Sequence, residues 1–292
     1  MEYEIKPLNE DGIRRLKEKV GDEIRRFASP IPGASDEKLI LRVSDRDKNF
    51  LGGLIFTLDI WASLELVNLW IDDRYRGRGL GSALICEAER IAMERGCDLS
   101  IVSTWSYQAR PLYEKHGYKL CSTVTDWPEG YDSYFLTKRL DVPENGYAAS
   151  KHTPATEYTV EPGNEADEET IHKKLYEYNC SRVPRLHPHV SVAEKLVDAD
   201  GRTIAGCAAD IDSIDIAVLE AIWVEESSRL RGAGTYLLEQ VERRVKDAGG
   251  IFTVAYVCDK SAGFFEKNGY SRCGEIPGHP KGHSTVVLKK IL

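Results

Sequence analysis

Two glycine-rich turns contain residues whose types and spacing could bind a phosphate. The first, RYRGRGLGSALI at residues 74–85, offers Arg76, Gly77, Arg78, Gly79, Gly81 and Ser82. The second, RLRGAGTYLL at residues 229–238, repeats the Arg-x-x-Gly-x-Gly pattern and offers Arg229, Gly232, Gly234 and Thr235. Glycine lets backbone N–H groups approach a ligand closely, and a helix N-terminus attracts anions. Because both copies precede an amphipathic helical stretch, we predict a phosphate-binding turn at 76–82, and whether the turn at 229–235 binds as well stays open. The arginines could add positive charge or could simply be solvated.

One carboxylate interrupts an apolar segment of the second half. Glu220 lies in VLEAIWV, which predicts a strand. Packing does not explain a carboxylate there, because burying one without a partner is costly. We therefore interpret Glu220 as a buried functional group with a raised pKa. His187 and His189 could suggest a metal, but no third ligand lies at a suitable spacing, so we predict no metal site.

The strands and helices that must position these residues come from an internal sequence repeat. EYEIKP at residues 2–7 recurs as EYTVEP at 157–162, and LYEKHGYKLC at 112–121 recurs as FFEKNGYSRC at 264–273. Between them, strand and helix periodicities follow the same order. We predict a mixed α/β (α+β) fold with two tandem domains, each a mostly antiparallel twisted sheet flanked by helices. The predicted boundaries are 1–140 for the first domain, 141–156 for a linker and 157–292 for the second domain.

Composition limits the classes of partner. The 292-residue chain has a net charge of −8, which argues against nucleic acid as the main partner. It contains no apolar run long enough to span a membrane and no signal-peptide pattern at its N-terminus. Its seven cysteines are scattered and suggest neither disulfides nor zinc. We expect a cytoplasmic protein whose acidity reflects either solubility or a cationic partner, and the oligomeric state stays open.

The order of elements around the first turn resembles the Gcn5-related N-acetyltransferase (GNAT) superfamily. The resemblance rests on LWIDDRYRGRGLGSALI and STWSYQARPLYEKHGY in the first half, and on IWVEESSRLRGAGTYLL and FFEKNGY in the second. It covers nearly the whole chain outside the linker and implies acetyl transfer from acetyl-CoA to a primary amine. A dinucleotide-binding fold is disfavoured, because the glycine spacing differs from G-x-G-x-x-G and no early βαβ unit precedes it.

The resemblance also implies site residues. In the family, a bulged strand before the turn presents a backbone N–H to the acetyl carbonyl, and Ile71 and Val224 match that position. Leu69 and Ile222, two residues earlier, complete the predicted acetyl-CoA contacts. Tyr113 matches the tyrosine that protonates the leaving thiolate. Glu65 is a candidate base because simple alternation puts it on the same strand face as Leu69 and Ile71. An exposed edge carboxylate is the alternative for Glu65, and Glu220 is the base candidate of the second half.

The predicted function is N-acetylation of a primary amine on a small molecule or peptide, which includes a cationic antibiotic inactivated for resistance or self-resistance. Two alternatives stay open: a protein lysine or N-terminal acetyltransferase, and a non-catalytic acyl-CoA-binding sensor or assembly module. The first half is predicted to be the catalyst, because Phe265 stands where that half has Tyr113 and phenylalanine has no hydroxyl proton to donate.

Overall fold

The computed structural model describes residues 4–140 and 157–292, and these residues divide between two compact units. The central unit contains residues 30–140, 157–183 and 276–281. The terminal unit contains residues 4–29, 184–275 and 282–292. The predicted linker, 141–156, lies outside the described residues.

The elements follow one another as strands and helices of two similar series. The first series is β1 (Glu4–Pro7), α1 (Glu10–Phe27), β2 (Glu37–Ser44), β3 (Phe50–Leu58), β4 (Ser63–Ile71), α2 (Leu80–Glu94), β5 (Leu99–Trp105), α3 (Arg110–Lys115), β6 (Lys119–Val124) and β7 (Ser133–Arg139). The second series is β8 (Thr159–Pro162), α4 (Glu165–Arg182), β9 (Val190–Val197), β10 (Thr203–Ile211), β11 (Ile216–Val224), α5 (Ala233–Asp247), β12 (Phe252–Cys258), α6 (Asp259–Lys267), β13 (Ser271–Pro277) and β14 (Ser284–Ile291).

The sheet of the central unit has the strand order β6-β7-β5-β4-β3-β2-β8. Its neighbours are antiparallel except β4 and β5, which run parallel. Helix α2 buries Leu80, Leu84, Ile85, Ala88 and Ala92 in a core with Leu54, Leu64 and Leu66. Helix α4 contacts β2, β3 and β4. Because Leu64 and Leu66 pack on the α2 side, the alternate residues of β4 are left for α4.

The terminal unit repeats this arrangement with the order β1-β9-β10-β11-β12-β14-β13. Here β11 and β12 form the parallel pair, and α5 buries Leu237, Leu238, Val241 and Val245 against the sheet. Helix α1 contacts β10 and β11 as α4 contacts β3 and β4. The predicted mixed α/β class and the mostly antiparallel sheets are confirmed. No helix in the described ranges combines the length and apolarity needed to cross a membrane.

The first strand and helix of each series belong to the unit formed by the other series. Strand β1 pairs with β9 from Glu4↔Val197 to Pro7↔Glu194, and β8 pairs with β2 from Leu41↔Pro162 to Ser44↔Thr159. The boundaries 1–140 and 157–292 therefore describe the sequence repeat but not the compact units. The two strand–helix copies have similar sequences, so the repeat does not show which copy completes which sheet.

Candidate functional site

A gap opens between the parallel strands of the central unit. The β4–β5 register runs from Ser63↔Leu99 to Leu66↔Val102, although β4 continues to Ile71 and β5 to Trp105. The β3–β4 register skips Val67, since Phe56 faces Leu66 and Ile55 faces Asn68. A bulge of this kind bends its strand and ends regular pairing. The two strands therefore separate just beyond Val67.

Two backbone amides of β4 point into this gap. The N–H of Asp72 donates to the carbonyl of Leu51 at 2.9 Å, so Asp72 faces β3. Backbone groups alternate sides along a strand, which turns Ile71 and Leu69 away from β3. The carbonyl of Ile71 accepts from Arg76 Nε at 3.0 Å on that open side. This geometry supports the predicted placement of Leu69 and Ile71 beside a bound acyl group, where an N–H could stabilise an oxyanion.

The bulge also moves Glu65 to the opposite face, so its predicted alignment with Leu69 and Ile71 is wrong. Leu64 and Leu66 share the α2 core with Leu69 and Ile71, and one extra residue at the bulge reverses the alternation that places Glu65. Glu65 faces the α4 side and is exposed in part. The surrounding protein raises the pKa of Glu65 by displacing water, Asp59 raises it further, and His279 opposes the change.

The glycine turn is built for close approach. Gly77 and Gly79 have φ of +76° and +81°, and Gly79 is the N-cap residue of α2. No side chain caps α2, and its first turn has no acidic residue. Free N–H groups at a helix N-terminus bind anions. Gly81 serves packing instead, because a Cβ there would lie 3.3 Å from Leu112 Cδ2 of α3. Ser82 is buried in the same first turn.

The arginines of this turn are engaged with the protein. Besides its bond to Ile71, Arg76 Nη2 lies 2.6 Å from Asp73 Oδ1. Arg78 Nη1 donates to the hydroxyl of Tyr158 at 2.9 Å. Arg74 pairs with Asp72 at 2.7 Å, and its hydrogen bond is the main reason that the pKa of Asp72 falls to about 2. These contacts hold the turn against the end of β4, a role that the sequence analysis did not assign.

Tyr113 lies on α3, the helix whose Leu112 packs beside the turn. It is 7% exposed and contacts Tyr118 edge to face at 5.9 Å between ring centroids. Burial raises the pKa of Tyr113 above its ordinary value, so the hydroxyl keeps its proton at neutral pH. A protonated hydroxyl can donate to a developing thiolate. The role of Tyr113 as an acid stays a prediction.

The α4 face carries a groove that the sequence analysis missed. Its volume is about 410 Å³, and it is lined by Asn68, His172, Lys173, Leu175, Tyr176 and Asn179. Asn68 follows the bulge, and its Nδ2 lies 2.9 Å from His172 Nδ1. Asn179 accepts from Gln108 at 3.0 Å, and Tyr178 donates to the carbonyl of Tyr107 at 3.0 Å. The groove therefore lies between α4 and Asn68 of β4, and two hydrogen bonds join α4 to the segment after β5. The repeat of EYEIKP as EYTVEP was the sequence signal for a second strand–helix copy, and α4 is the helix of that copy.

The matching bulge of the terminal unit holds an ion pair. The β10–β11 register skips Glu220, and Lys17 Nζ of α1 lies 3.0 Å from its carboxylate. The side chain of Glu220 is 32% exposed, so the predicted burial of this carboxylate is wrong. The bulge turns the residue away from the core, which explains a carboxylate in an apolar strand. Glu220 reaches the α1 face, as its bond to Lys17 shows.

The acyl-binding positions of the terminal unit repeat those of the central unit in backbone geometry. Glu225 donates to the carbonyl of Ile204 at 2.8 Å, which turns Val224 and Ile222 away from β10. Arg229 Nε donates to the carbonyl of Val224 at 2.9 Å. These two hydrogen bonds agree with the predicted positions of Ile222, Val224 and Arg229 beside bound acetyl-CoA.

The second turn differs from the first in its side chains. Gly232 caps α5 with φ of +84°, but Leu230 occupies the place of Gly77 with φ of +59°. Gly234 packs like Gly81, since a Cβ there would lie 3.3 Å from Phe264, and Thr235 follows it in the first turn of α5. Arg229 also pairs with Glu23 of α1, which accepts from Trp223 Nε1 at 3.0 Å.

Phe265 fills the place of Tyr113 in the terminal unit. It is 1% exposed and contacts Tyr270 edge to face at 5.3 Å, as Tyr113 contacts Tyr118. The packing is therefore retained without a hydroxyl group. This difference supports the central unit as the catalytic one.

One group of three side chains in the terminal unit could hold a metal ion. Ligand atoms of Cys258, Asp259 and His283 lie within 4.8 Å of one another. Asp259 accepts from the Cys258 thiol at 3.3 Å and lies 3.6 Å from His283 Nδ1. His187, considered above, contacts Asp215 at 2.7 Å. The predicted absence of a metal therefore stays a prediction.

Comparison with known proteins agrees with this geometry. Residues 17–118 match the acetyltransferase (GNAT) family, and residues 187–272 match an acetyltransferase (GNAT) domain. The chain belongs to the GNAT family as a tandem member. The resemblance noted in the sequence is confirmed, and members of this family are acetyltransferases.

Individual relatives match one half of the chain's length or less. Blasticidin-S acetyltransferase of Streptomyces morookaense is 43% identical over 90 residues, which cover 30% of this chain and 65% of that protein. An acetyltransferase of Agrobacterium fabrum is 28% identical over 37% of this chain and 79% of its own length. The crystal structure of an acetyltransferase from Bacillus cereus is 31% identical, with a TM-score of 0.43, and covers 47% of this chain and 96% of that one.

Proposed function

We propose that the central unit transfers the acetyl group of acetyl-CoA to a primary amine of a small molecule. The observation that carries the proposal is the gap beyond Val67, which has the amides of Leu69 and Ile71 along one edge. The uncapped N-terminus of α2 lies at the end of the same strand, beyond the turn. A thioester carbonyl and a pyrophosphate are the two groups that such a pair of donors would bind.

The residues of the central unit would divide the reaction between them. The turn from Gly77 to Ser82 would hold the phosphates through its backbone, while Arg76 keeps the turn against β4. The amide of Ile71 would donate to the acetyl oxygen as the amine attacks and negative charge develops there. A C–N bond forms, the C–S bond breaks, and Tyr113 would give its proton to the departing thiolate.

The substrate proposal follows from the groove and from one relative. Blasticidin-S acetyltransferase is named for a small antibiotic, which makes an amine-bearing antibiotic the first candidate. The six side chains that line the groove include no carboxylate, so this groove does not supply the acidic surface expected for a polycationic substrate. We therefore favour an amine on a polar, weakly charged molecule. Protein or peptide acetylation and a CoA-binding sensor are the alternatives.

The test is release of free thiol from acetyl-CoA with a panel of amines. The panel contains blasticidin S, an aminoglycoside, a polyamine and a lysine-containing peptide, and mass spectrometry of the products identifies the acetylated amine. We expect turnover with a small-molecule amine. Turnover only with the peptide would favour the protein acetyltransferase, and coenzyme A binding without turnover of any amine would favour the sensor.

A further inference from the structure

We propose that His172 of α4 is the group that accepts the proton of the acceptor amine in the central unit. The proposal rests on the proposed function and adds a residue to it. Glu65 lies before the bulge, beside Asp59 and His279, and Val67 at the bulge cannot take a proton. His172 is the imidazole that lines the groove next to the opened part of β4. The base would thus come from the second half of the chain, and the acetyl-binding strand from the first.

Packing holds His172 at the bulge. The preceding residue, Ile171, is fully buried, and its Cδ1 would lie 2.6 Å from a Cβ placed on Gly53 of β3. The glycine therefore lets α4 lie directly on the sheet. His172 Nδ1 lies 2.9 Å from Nδ2 of Asn68, the residue that follows Val67. The imidazole is 51% exposed, so a substrate can reach it.

Hydrogen bonds select the nitrogen that faces the substrate. His172 Nε2 lies 3.4 Å from Glu168 Oε1, one helical turn earlier. A carboxylate accepts only, so Nε2 carries the proton and Nδ1 presents its lone pair to the Asn68 amide. Lys38 fixes Glu168 at 2.6 Å. Glu168 is thus a positioning residue.

The charged and titratable groups around the imidazole are few. Glu168, Lys173 and Tyr176 share α4 with it, Lys38 of β2 reaches Glu168, and Glu65 lies on the same face of β4. Of these groups, His172 is the one that lines the groove beside Asn68 and has a nitrogen lone pair that can accept a proton.

The terminal unit provides an internal comparison. Asn9 and Asn164 cap α1 and α4 at the same position of the repeat, which aligns Lys17 with His172. Lys17 is cationic and pairs with Glu220, the residue that matches Val67. The chain therefore has an ion pair at one bulge and an imidazole beside an open groove at the other.

The proposed step balances. The acceptor binds as an ammonium ion and displaces the Asn68 amide from His172 Nδ1. This nitrogen then takes one proton from the ammonium group. The free amine attacks the thioester carbon, the C–N bond forms, and the C–S bond breaks. The thiolate takes the proton of Tyr113. The amine nitrogen loses its second proton to solvent as the amide forms, Tyr113 is reprotonated, and His172 releases its proton to solvent.

The experiment compares His172→Gln with Lys174→Gln in the full-length protein. Both residues are exposed on α4, so both variants should fold, which circular dichroism checks. Lys174 is not among the residues that line the groove. The substrate is the amine that the wild type acetylates best. We expect kcat/KM of His172→Gln to fall roughly 10²-fold or more at neutral pH with coenzyme A affinity unchanged. Lys174→Gln should retain activity within severalfold of the wild type, because Lys174 pairs with exposed Glu177 outside the groove.

The pH profile separates a base from a structural residue. In the wild type, log kcat/KM should rise with pH and level off as the imidazole loses its proton. In His172→Gln the plateau should disappear, and imidazole added to His172→Ala should restore part of the rate. Glu168→Ala should lower kcat/KM, and Glu168→Gln should restore part of the rate, because the glutamine amide oxygen can still accept from His172 Nε2.

Three results would overturn the inference. They are near-wild-type activity in His172→Gln, an unchanged pH profile, or an equal loss in Lys174→Gln. The proposed function would survive each of them, since the wild type would still turn over. If the wild type releases no thiol with any amine, both the proposed function and the inference fail.

Discussion

Two glycines at opposite ends of α2 allow the phosphate-binding role of the turn to be separated from backbone strain. Gly79 precedes the helix with φ of +81°, and Gly96 follows it with φ of +83°. A Cβ on either glycine would meet no atom within 4 Å. Alanine at either position therefore adds the same left-handed strain, about 1–2 kcal/mol, and no clash. We expect Gly79→Ala and Gly96→Ala to lower the melting temperature equally, by roughly 2–8 °C.

Coenzyme A binding should distinguish the two variants. A methyl group on Gly79 would occupy the open space in front of the α2 N-terminus, where the phosphates are proposed to lie. Loss of one charge-assisted hydrogen bond costs about 1.5–3 kcal/mol, so Kd for the central site should rise roughly tenfold to hundredfold. Gly96→Ala should leave Kd unchanged. Calorimetric titration is fitted for two sites because Gly232 is intact. Equal affinity in both variants would refute a phosphate site at this turn.

Four further substitutions test the difference between the units. Tyr113→Phe should fold normally and lose roughly 10²-fold or more in kcat, whereas Phe265→Tyr should leave kcat unchanged; the reverse pattern in the thiol-release assay would assign catalysis to the terminal unit. Glu220→Gln should change turnover little and cost at most about 1 kcal/mol in unfolding free energy, because its pair with Lys17 is partly exposed; a large rate loss would restore Glu220 as the base. Leu230→Gly should raise the melting temperature by relieving φ of +59°, and a lower value in calorimetry would contradict that origin.

Local patterns made part of the site predictable from sequence. The turns could be found because left-handed backbone and close helix packing both demand glycine in a short motif, and Gly79 and Gly81 meet one demand each. Tyr113 and Phe265 could be compared because their helices repeat almost residue for residue. The mixed α/β class followed from hydrophobic periods that the strands and helices retain.

The errors arose where structure departs from a regular period or depends on distant contacts. One unpaired residue at Val67 moved Glu65 to the other face, and alternation counted along the sequence does not reveal a bulge. At the second bulge, the side chain of Glu220 points away from the core and pairs with Lys17, which is distant in sequence. The bond between Asn68 and His172 was also hidden, because sequence does not show which strand–helix copy covers which sheet.

The exchange of strand–helix copies leads to a prediction about the chain as a whole. If each series formed its own unit, cleavage between residues 140 and 157 would release two separately folded halves. In the structure, β1 and α1 complete the sheet that contains β9, while β8 and α4 complete the sheet that contains β2. Separation would expose Leu16 of α1 and Ile171 of α4, the side chains that these helices bury. Uncovering such apolar faces is strongly unfavourable in water.

We therefore expect a protein cleaved at a protease site inserted within 141–156 to elute as one complex in size-exclusion chromatography. It should also keep the activity of the intact chain, because α4 stays on the central sheet with His172 beside Asn68. The same insertion left uncleaved is the control for the added residues. Denaturation followed by chromatography shows that cleavage was complete. Two separate folded halves without denaturant would contradict the exchange, and with it the supply of His172 to the central site by the second half of the chain.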